Sequence, residues 1–423
     1  MRASGEHRSI IVALAVWWVL VIVDPVRSQW PQWGGPERNF TVETTGLADS
    51  WPEDGPRKLW RRTLGLGYSS IVHDDGMLYT MYRKDRTNEN ENTIALDAGT
   101  GRTVWERANR APVPGGGDDS EREFCGPNAT PLVVGDRLYT VGRNARIHCY
   151  QKTDGTILWQ HDLVAEYGAG IPASGYSCSP ISYRNTVIVA IGRAEEEKGR
   201  GSSLIAFEQA TGRKMWSNHE FTIWHSSPIL IKYAGEEQLV LHTKEGLIGV
   251  NPRSGDLLWR HAFEDPGIIT TPVWNGTDTL FCSSLEVGMA VRLTREGGTT
   301  RAQRLWSSRN TALGMGTPIL IDDVLVGSRA GSMTAPIIAA DVTTGRRVWH
   351  QRGFPGASLV YGDGKLVVLD NTGLLGLATV GAKGLNIHSE YKITEKWSFT
   401  PPTLVGTTLY VRDERAITAL DVR

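Results

Sequence analysis

After residue 56 the chain is written in short apolar runs separated by polar turns. The stretch 130–159 shows the grammar. Thr130-Pro131-Leu132-Val133-Val134 meets the turn Gly135-Asp136, and Arg137-Leu138-Tyr139-Thr140-Val141 follows. A polar stretch, Arg143-Asn144-Ala145, leads into Arg146-Ile147-His148-Cys149-Tyr150. Then Lys152-Thr153-Asp154-Gly155 turns the chain into Thr156-Ile157-Leu158-Trp159. Runs rich in β-branched and aromatic residues, bounded by Gly, Asp and Asn, predict four antiparallel strands. No helical period runs through these segments.

The four-run unit recurs. Trp60, Trp105, Trp159, Trp216, Trp259, Trp306, Trp349 and Trp397 lie 43 to 57 residues apart. Five of them close one phrase: TGRTVW, DGTILW, TGRKMW, SGDLLW and TGRRVW. A unit this short cannot bury its own face, so copies must stack. Asp97, Asp341 and Asp421 precede the turns, where a short acceptor bonds the turn backbone and Gly supplies positive φ. The Trp residues are expected to wedge between sheets with their one N–H donor paired. Four-stranded units in a ring make an all-β, eight-bladed propeller. A β-solenoid is the alternative, but it would not need complementary ends. The last unit stops at Arg423 without its fourth strand, while Arg57–Arg62 is a surplus strand at the start. This N-terminal strand is therefore expected to complete the last blade and remove the open edges.

Composition adds compartment and partner class. Formal net charge is -1, hydrophobic residues make up 40% and charged residues 22%. No basic excess points to nucleic acid. Arg2, His7 and Arg8 precede an uncharged apolar run from Ile10 to Val23, too short for a membrane span and suited to a secretory signal. Val26-Arg27-Ser28 offers a cleavage site. The expected organisation is a signal peptide over 1–28, an N-terminal extension over 29–56 and the propeller over 57–423, exported to the periplasm or beyond. An uncleaved anchor is the other reading of the same run. Export makes Cys125, Cys149, Cys178 and Cys282 candidates for disulfides, with buried free thiols the alternative. No Cys or His cluster has metal-ligand spacing.

The phrase ALDAGTGRTVWE, Ala95 to Glu106, resembles the repeat of the pyrroloquinoline-quinone (PQQ) propeller superfamily. That superfamily includes quinoprotein alcohol dehydrogenases and the outer-membrane assembly propeller BamB. Trp30-Pro31-Gln32-Trp33-Gly34-Gly35-Pro36 and Gly65-Leu66-Gly67-Tyr68-Ser69-Ser70 are similar to exported propellers of planctomycete type. The resemblance implies eight blades and one of two functions. One is a BamB-like module binding a protein partner or a small anionic ligand, as a monomer. The other is a dehydrogenase carrying PQQ and calcium. The chain lacks the adjacent Cys pair of the dehydrogenases, and their calcium-binding Glu/Asn/Asp set does not place on it. It also lacks the lipidated Cys of BamB.

Propeller ligands sit at the central channel, so residues preceding each first strand are the candidates. Aligning units on their Ser/Thr-Pro step puts Tyr68, Asn128, Ser177, His225, Ile269, Met315, Gly356 and Phe399 in one ring, with Tyr176 and Trp224 one position earlier. The ring holds no carboxylate, and His225 is its one candidate general base. A hydrogen-bonded structural His is the plainer reading. After each second strand come Arg83, Arg143, Arg193, Lys244, Arg329 and Arg412, which at matched positions are candidates to attract an anion. Nearby acids are the competing partners. The loop 107–128 is the longest between units, and Asn88–Asn92 is a smaller polar insertion. No GxSxG, HExxH, P-loop or dinucleotide fingerprint is present.

Overall fold

The computed structural model describes residues 29–112, 126–172, 174–192, 203–218, 221–263, 269–314, 316–329 and 335–423. They form eight four-stranded antiparallel sheets, each a meander running outward from the channel. Blades 1 to 7 span 72–110, 132–162, 181–218, 229–262, 273–308, 319–351 and 358–392. Blade 8 takes its three inner strands from the C-terminus, Thr403–Val405, Thr408–Arg412 and Ala416–Asp421. Its outer strand is Arg57–Thr63, as expected from the surplus run. The one α-helix among the described residues is Leu163–Tyr167. No helix among them is long and apolar enough to cross a membrane.

Third and outer strands pair with a bulge at one fixed place, which sets where Trp falls. Ala95 faces Trp105, Cys149 faces Trp159, Ala206 faces Trp216 and Ala419 faces Trp60. Gly249, Ala290 and Ala339 face Trp259, Trp306 and Trp349. A small residue opposite the indole leaves it free to lean onto the next blade. Trp60 Nε1 donates to Ala98 O at 3.0 Å, Trp105 to Lys152 O at 2.8 Å and Trp159 to Gln209 O at 3.0 Å. Trp306 donates to Val342 O at 2.9 Å and Trp349 to Gly381 O at 3.0 Å. These five carry out the expected wedge role with the donor paired.

Three depart from it. Trp216 still packs under a turn glycine, Gly255, but its indole N–H has no partner. Trp259 turns back to Gln238 Oε1 of its own blade at 2.6 Å, facing a blade 5 that has a long Glu296–Thr299 hairpin. Trp397 is a correction. It lies beyond its blade's last strand, is 42% exposed and stacks on Phe399. The wedge position of blade 7 belongs to Ser389, opposite Leu377, and Trp51 of the N-terminal extension packs there with its backbone N–H on Ser389 Oγ. A near-constant interval selected the wrong aromatic, because blade 7 carries its core indole in trans.

The extension 29–56 crosses the end of the ring where first strands turn into second strands. Trp30 pairs with His73 of blade 1, and Pro31 O accepts from Val133 N of blade 2. Arg38 reaches Pro180 O of blade 3 at 3.1 Å, and Trp33 Nε1 donates to Thr271 Oγ1 of blade 5 at 2.9 Å. Phe40 and Val42 bracket Tyr361 of blade 7, and Ala48 N donates to Val422 O of blade 8. One segment thus ties six blades before it enters the ring as a strand.

Cys149, Cys178 and Cys282 are buried and form no disulfide among the described residues. Cys125, the signal run and most of the long loop lie outside the described residues. Asn90–Asp97 is strand, so the Asn88–Asn92 insertion lengthens a hairpin and is not a detached loop.

Two predictions concern the clasp and the seam. A Cβ at Gly155, φ 71°, would come within 2.5 Å of the Trp105 ring, whereas one at Gly76, φ 76°, meets nothing within 4 Å. Both Ala variants bear positive-φ strain of roughly 1–2 kcal/mol. Gly155→Ala is expected to lose about 1–3 kcal/mol more through overpacking, read from denaturant midpoints. At the seam, Asp421 accepts from Arg423 at 2.7 Å and from Arg57 of the incoming strand at 2.7 Å. Those bonds, Arg423 first, hold its carboxyl well below the usual range. A depressed carboxyl stabilises fully above its unfolded pKa and loses that contribution as pH falls through the native one. Stability should therefore drop below about pH 4, and Asp421→Asn should show a smaller drop in melting temperature over the same interval.

Candidate functional site: the channel well

The channel wall is built from the step that opens each first strand. Thr130, Ser179, Ser227, Thr271 and Thr317 each precede a proline, which holds them extended. Their hydroxyls serve the neighbouring blade. Thr130 N donates to Ser179 Oγ at 3.0 Å, Ser179 N to Ser227 Oγ at 2.9 Å and Thr271 N to Thr317 Oγ1 at 3.2 Å. Blade is joined to blade here by amide-to-hydroxyl bonds, which satisfies inner-strand N–H groups that no sheet partner reaches.

A well of about 160 Å³ opens inside this wall. Its lining brings together Tyr68, Asn128, Ser177, His225, Ile269 and Phe399, six of the eight ring positions read from the repeat. Gly356 is not among the lining residues, although Ser358 of the same blade is. Met315 lies outside the described residues, and its neighbour Gly316 lines the well. Trp33 of the N-terminal extension also lines it, so the channel is a blind well and not a through-pore.

His225 is the only imidazole in the described lining. One nitrogen faces Ser177 Oγ, and Nε2 lies 3.0 Å from Ser174 Oγ. Trp224 stacks on it at 5.4 Å. Burial pushes its pKa down to about 4, so the ring is neutral at pH 7. A neutral imidazole spent on two hydroxyls, with no carboxylate behind it, is placed as a structural group. Asn128 is likewise engaged, donating to Ser174 O at 3.1 Å.

Other candidates lie elsewhere. Tyr176 is buried, its hydroxyl donating to Ala190 O at 2.8 Å, and it does not reach the well. Arg83 is 0% exposed and clamps its own loop through Asn88 O, Ala111 O and Glu91. Arg143 is buried, and its backbone N–H donates to Glu91 Oε2 at 2.9 Å. Arg412 is buried against Ser69 O and Thr80 Oγ1, and desolvation lowers its pKa to about 10. Lys244 lies over the Trp224 ring at 5.3 Å. Arg329 is half-buried and anchored by its backbone to Pro336 O. Arg193 falls outside the described residues. The matched cations therefore do not form an open ring at the mouth. A long side chain at the end of a second strand can fold inward: Arg83 holds its own loop, Arg412 reaches across to blade 1, and Arg143 is buried.

The fit of PQQ with calcium rests on donor chemistry. Calcium takes six to eight oxygens, carboxylates among them. The described lining offers hydroxyls, one amide and a neutral imidazole, with no Asp, Glu, Lys or Arg. Its volume is also below the roughly 300–1,000 Å³ of ordinary ligand sites. The residues present do not fit that pair. The reading from sequence missed Trp33 and the extension's path. The one signal was the Trp-, Gly- and Pro-rich opening, which has no counterpart in the repeats.

A family profile described as outer membrane protein assembly factor BamB matches residues 89–351. A quinoprotein ethanol dehydrogenase from Pseudomonas putida is 26% identical over 150 residues, which is 35% of this chain and 22% of that protein. The chain thus matches about a fifth of that relative's length. Among solved structures, the computationally designed Ika8 protein aligns with a TM-score of 0.58 at 10% identity, covering 86% of this chain and 99% of that one. The quinohemoprotein alcohol dehydrogenase ADHIIG from Pseudomonas putida HK5 aligns at 0.53 and 12% identity, covering 93% and 80%. Both show the propeller fold. With its profile match extending over more than half its length, the chain belongs to the PQQ-like β-propeller family described as outer membrane protein assembly factor BamB.

Proposed function

We propose that this protein is an exported, non-enzymatic propeller that acts as a binding scaffold, engaging a protein partner through the loop-bearing face around the well. One observation carries the reading. The channel, where a cofactor of this fold class would sit, is filled from behind by Trp33 of the chain's own N-terminal extension. What remains is small, and its described lining is uncharged at neutral pH. Family membership supports a role in assembly of other proteins, by the family's description. The alternative, a PQQ- and calcium-dependent dehydrogenase, draws on the named activity of one partial relative.

The test mixes purified protein with PQQ and calcium and follows absorbance and melting. The expected result is no stoichiometric change in either. A saturable one-to-one shift overturns the scaffold reading. Trp33→Ala sharpens the test by opening the floor. Truncating this half-buried indole should cost about 2 kcal/mol in denaturant unfolding. The uncharged wall predicts that the variant, though roomier, still does not take PQQ.

A further inference from the structure

The seam between blades 4 and 5 is where the repeat breaks its own rule. Trp259 does not bond across it and donates to Gln238 of its own blade. Polar stitches hold the turn end of the seam instead. Tyr233 Oη donates to Leu293 O at 2.9 Å, and Arg295 pairs with Glu236 at 2.8 Å. At the opposite, loop-bearing end the blades leave a crevice of about 220 Å³, separate from the channel well.

His242, at the end of the second strand of blade 4, lines this crevice. It is 1% exposed, and neither ring nitrogen has a hydrogen-bond partner. Burying an imidazole without partners costs free energy comparable to the lost hydrogen bonds. Among the described residues, His242 is the one histidine whose two ring nitrogens are both buried and without a partner. Burial holds the His242 ring neutral, with a pKa near 3, so it presents one donor and one acceptor. Phe263, Val287 and Met289 supply apolar walls from both blades. Arg304, on the outer strand of blade 5, lines the same crevice, is exposed and makes no ion pair among the described residues.

We infer that this crevice binds a small amphipathic carboxylate with a hydroxyl at its far end: the acid meets Arg304, the apolar body lies against Phe263 and Met289, and the hydroxyl satisfies His242. A hydroxyl can donate to or accept from the His242 nitrogen it meets, so it suits either tautomer of the neutral ring. The volume is below that of ordinary ligand pockets, so the body that suits it is a single ring, with about ten non-hydrogen atoms in the whole ligand. An unpaired guanidinium favours a carboxylate over a neutral or cationic terminus.

The probes are 4-hydroxybenzoate, benzoate and 4-hydroxybenzamide, titrated into the full chain by calorimetry with NMR of the histidine ring nitrogens. Saturable one-to-one binding of 4-hydroxybenzoate is expected, with a shift at His242. Benzoate, lacking the hydroxyl, and the amide, lacking the charge, should each bind about tenfold more weakly, the factor for one lost hydrogen bond or ion pair. Arg304→Gln should make 4-hydroxybenzoate and its amide equal. His242→Leu should keep or raise the melting temperature, because it removes an unsatisfied buried group, and should erase the preference for the hydroxyl. Absence of saturable binding by any probe, or 4-hydroxybenzoate affinity unchanged in both variants, overturns the proposal. So does a ligand-soaked crystal in which only ordered water meets His242.

Discussion

The ring depends on one contact made repeatedly. An indole on an outer strand lies flat on the glycine of the next blade's turn, and its N–H bonds a carbonyl of that blade. Each half of the contact dictates a residue. The bonded carbonyl requires Trp and not Phe, because only an indole brings a large apolar surface together with a donor. The flat approach requires that the turn residue have no Cβ, and the same residue already needs positive φ to make the turn. The residue opposite the indole across the bulge must be small, and it is Ala, Gly or Cys wherever Trp holds the position. The phrase Gly-x-x-x-Trp is this contact written along the chain, with the Gly serving the preceding blade's Trp and the Trp serving the following blade.

That division explains what the sequence made legible. Contacts repeated in every blade leave a periodic trace, so the strand order, the blade count and the closing strand could all be read. So could most of the channel ring, because first strands are related by the same period. Tyr68, Asn128, Ser177, His225, Ile269 and Phe399 converge for no reason other than their equivalent register. The period fails where blades differ. Trp397 kept the interval but not the position, and Ser389 kept the position without the indole. The cation series failed for another reason. Position after a second strand fixes where a backbone lies, whereas the direction of a long side chain depends on local acceptors, and Arg83 finds Asn88 O, Ala111 O and Glu91 within its own hairpin.

Features outside the repeat left no such trace. Residues 29–56 touch six blades, each through a bond made once, so nothing in their spacing announces a plug. His242 likewise sits in a strand whose pattern is ordinary. Its unpartnered ring lines the seam between blades 4 and 5, the same seam at which Trp259 turns back to Gln238.

Closure and plugging are linked by geometry. A ring closed by pairing the two ends of the chain needs its N-terminal strand delivered to the outside of the last blade. A segment that begins beneath blade 1 and ends at the rim of the neighbouring blade 8 could take a short path along the circumference. It crosses the axis instead, and the crossing buries Trp30, Phe40 and Trp51 under the sheets on the way. It also obliges the channel floor to be made of the crossing segment, which is how Trp33 comes to stand beneath the well. The free energy gained from burying those aromatics stabilises the seam that would otherwise rest on one strand pairing and the Arg57–Asp421 pair. A channel reserved for a large cofactor could not take this route without giving up its floor. In this chain the crossing segment has taken that space, which leaves the proposed recognition to the loop-bearing face and to the seam between blades 4 and 5.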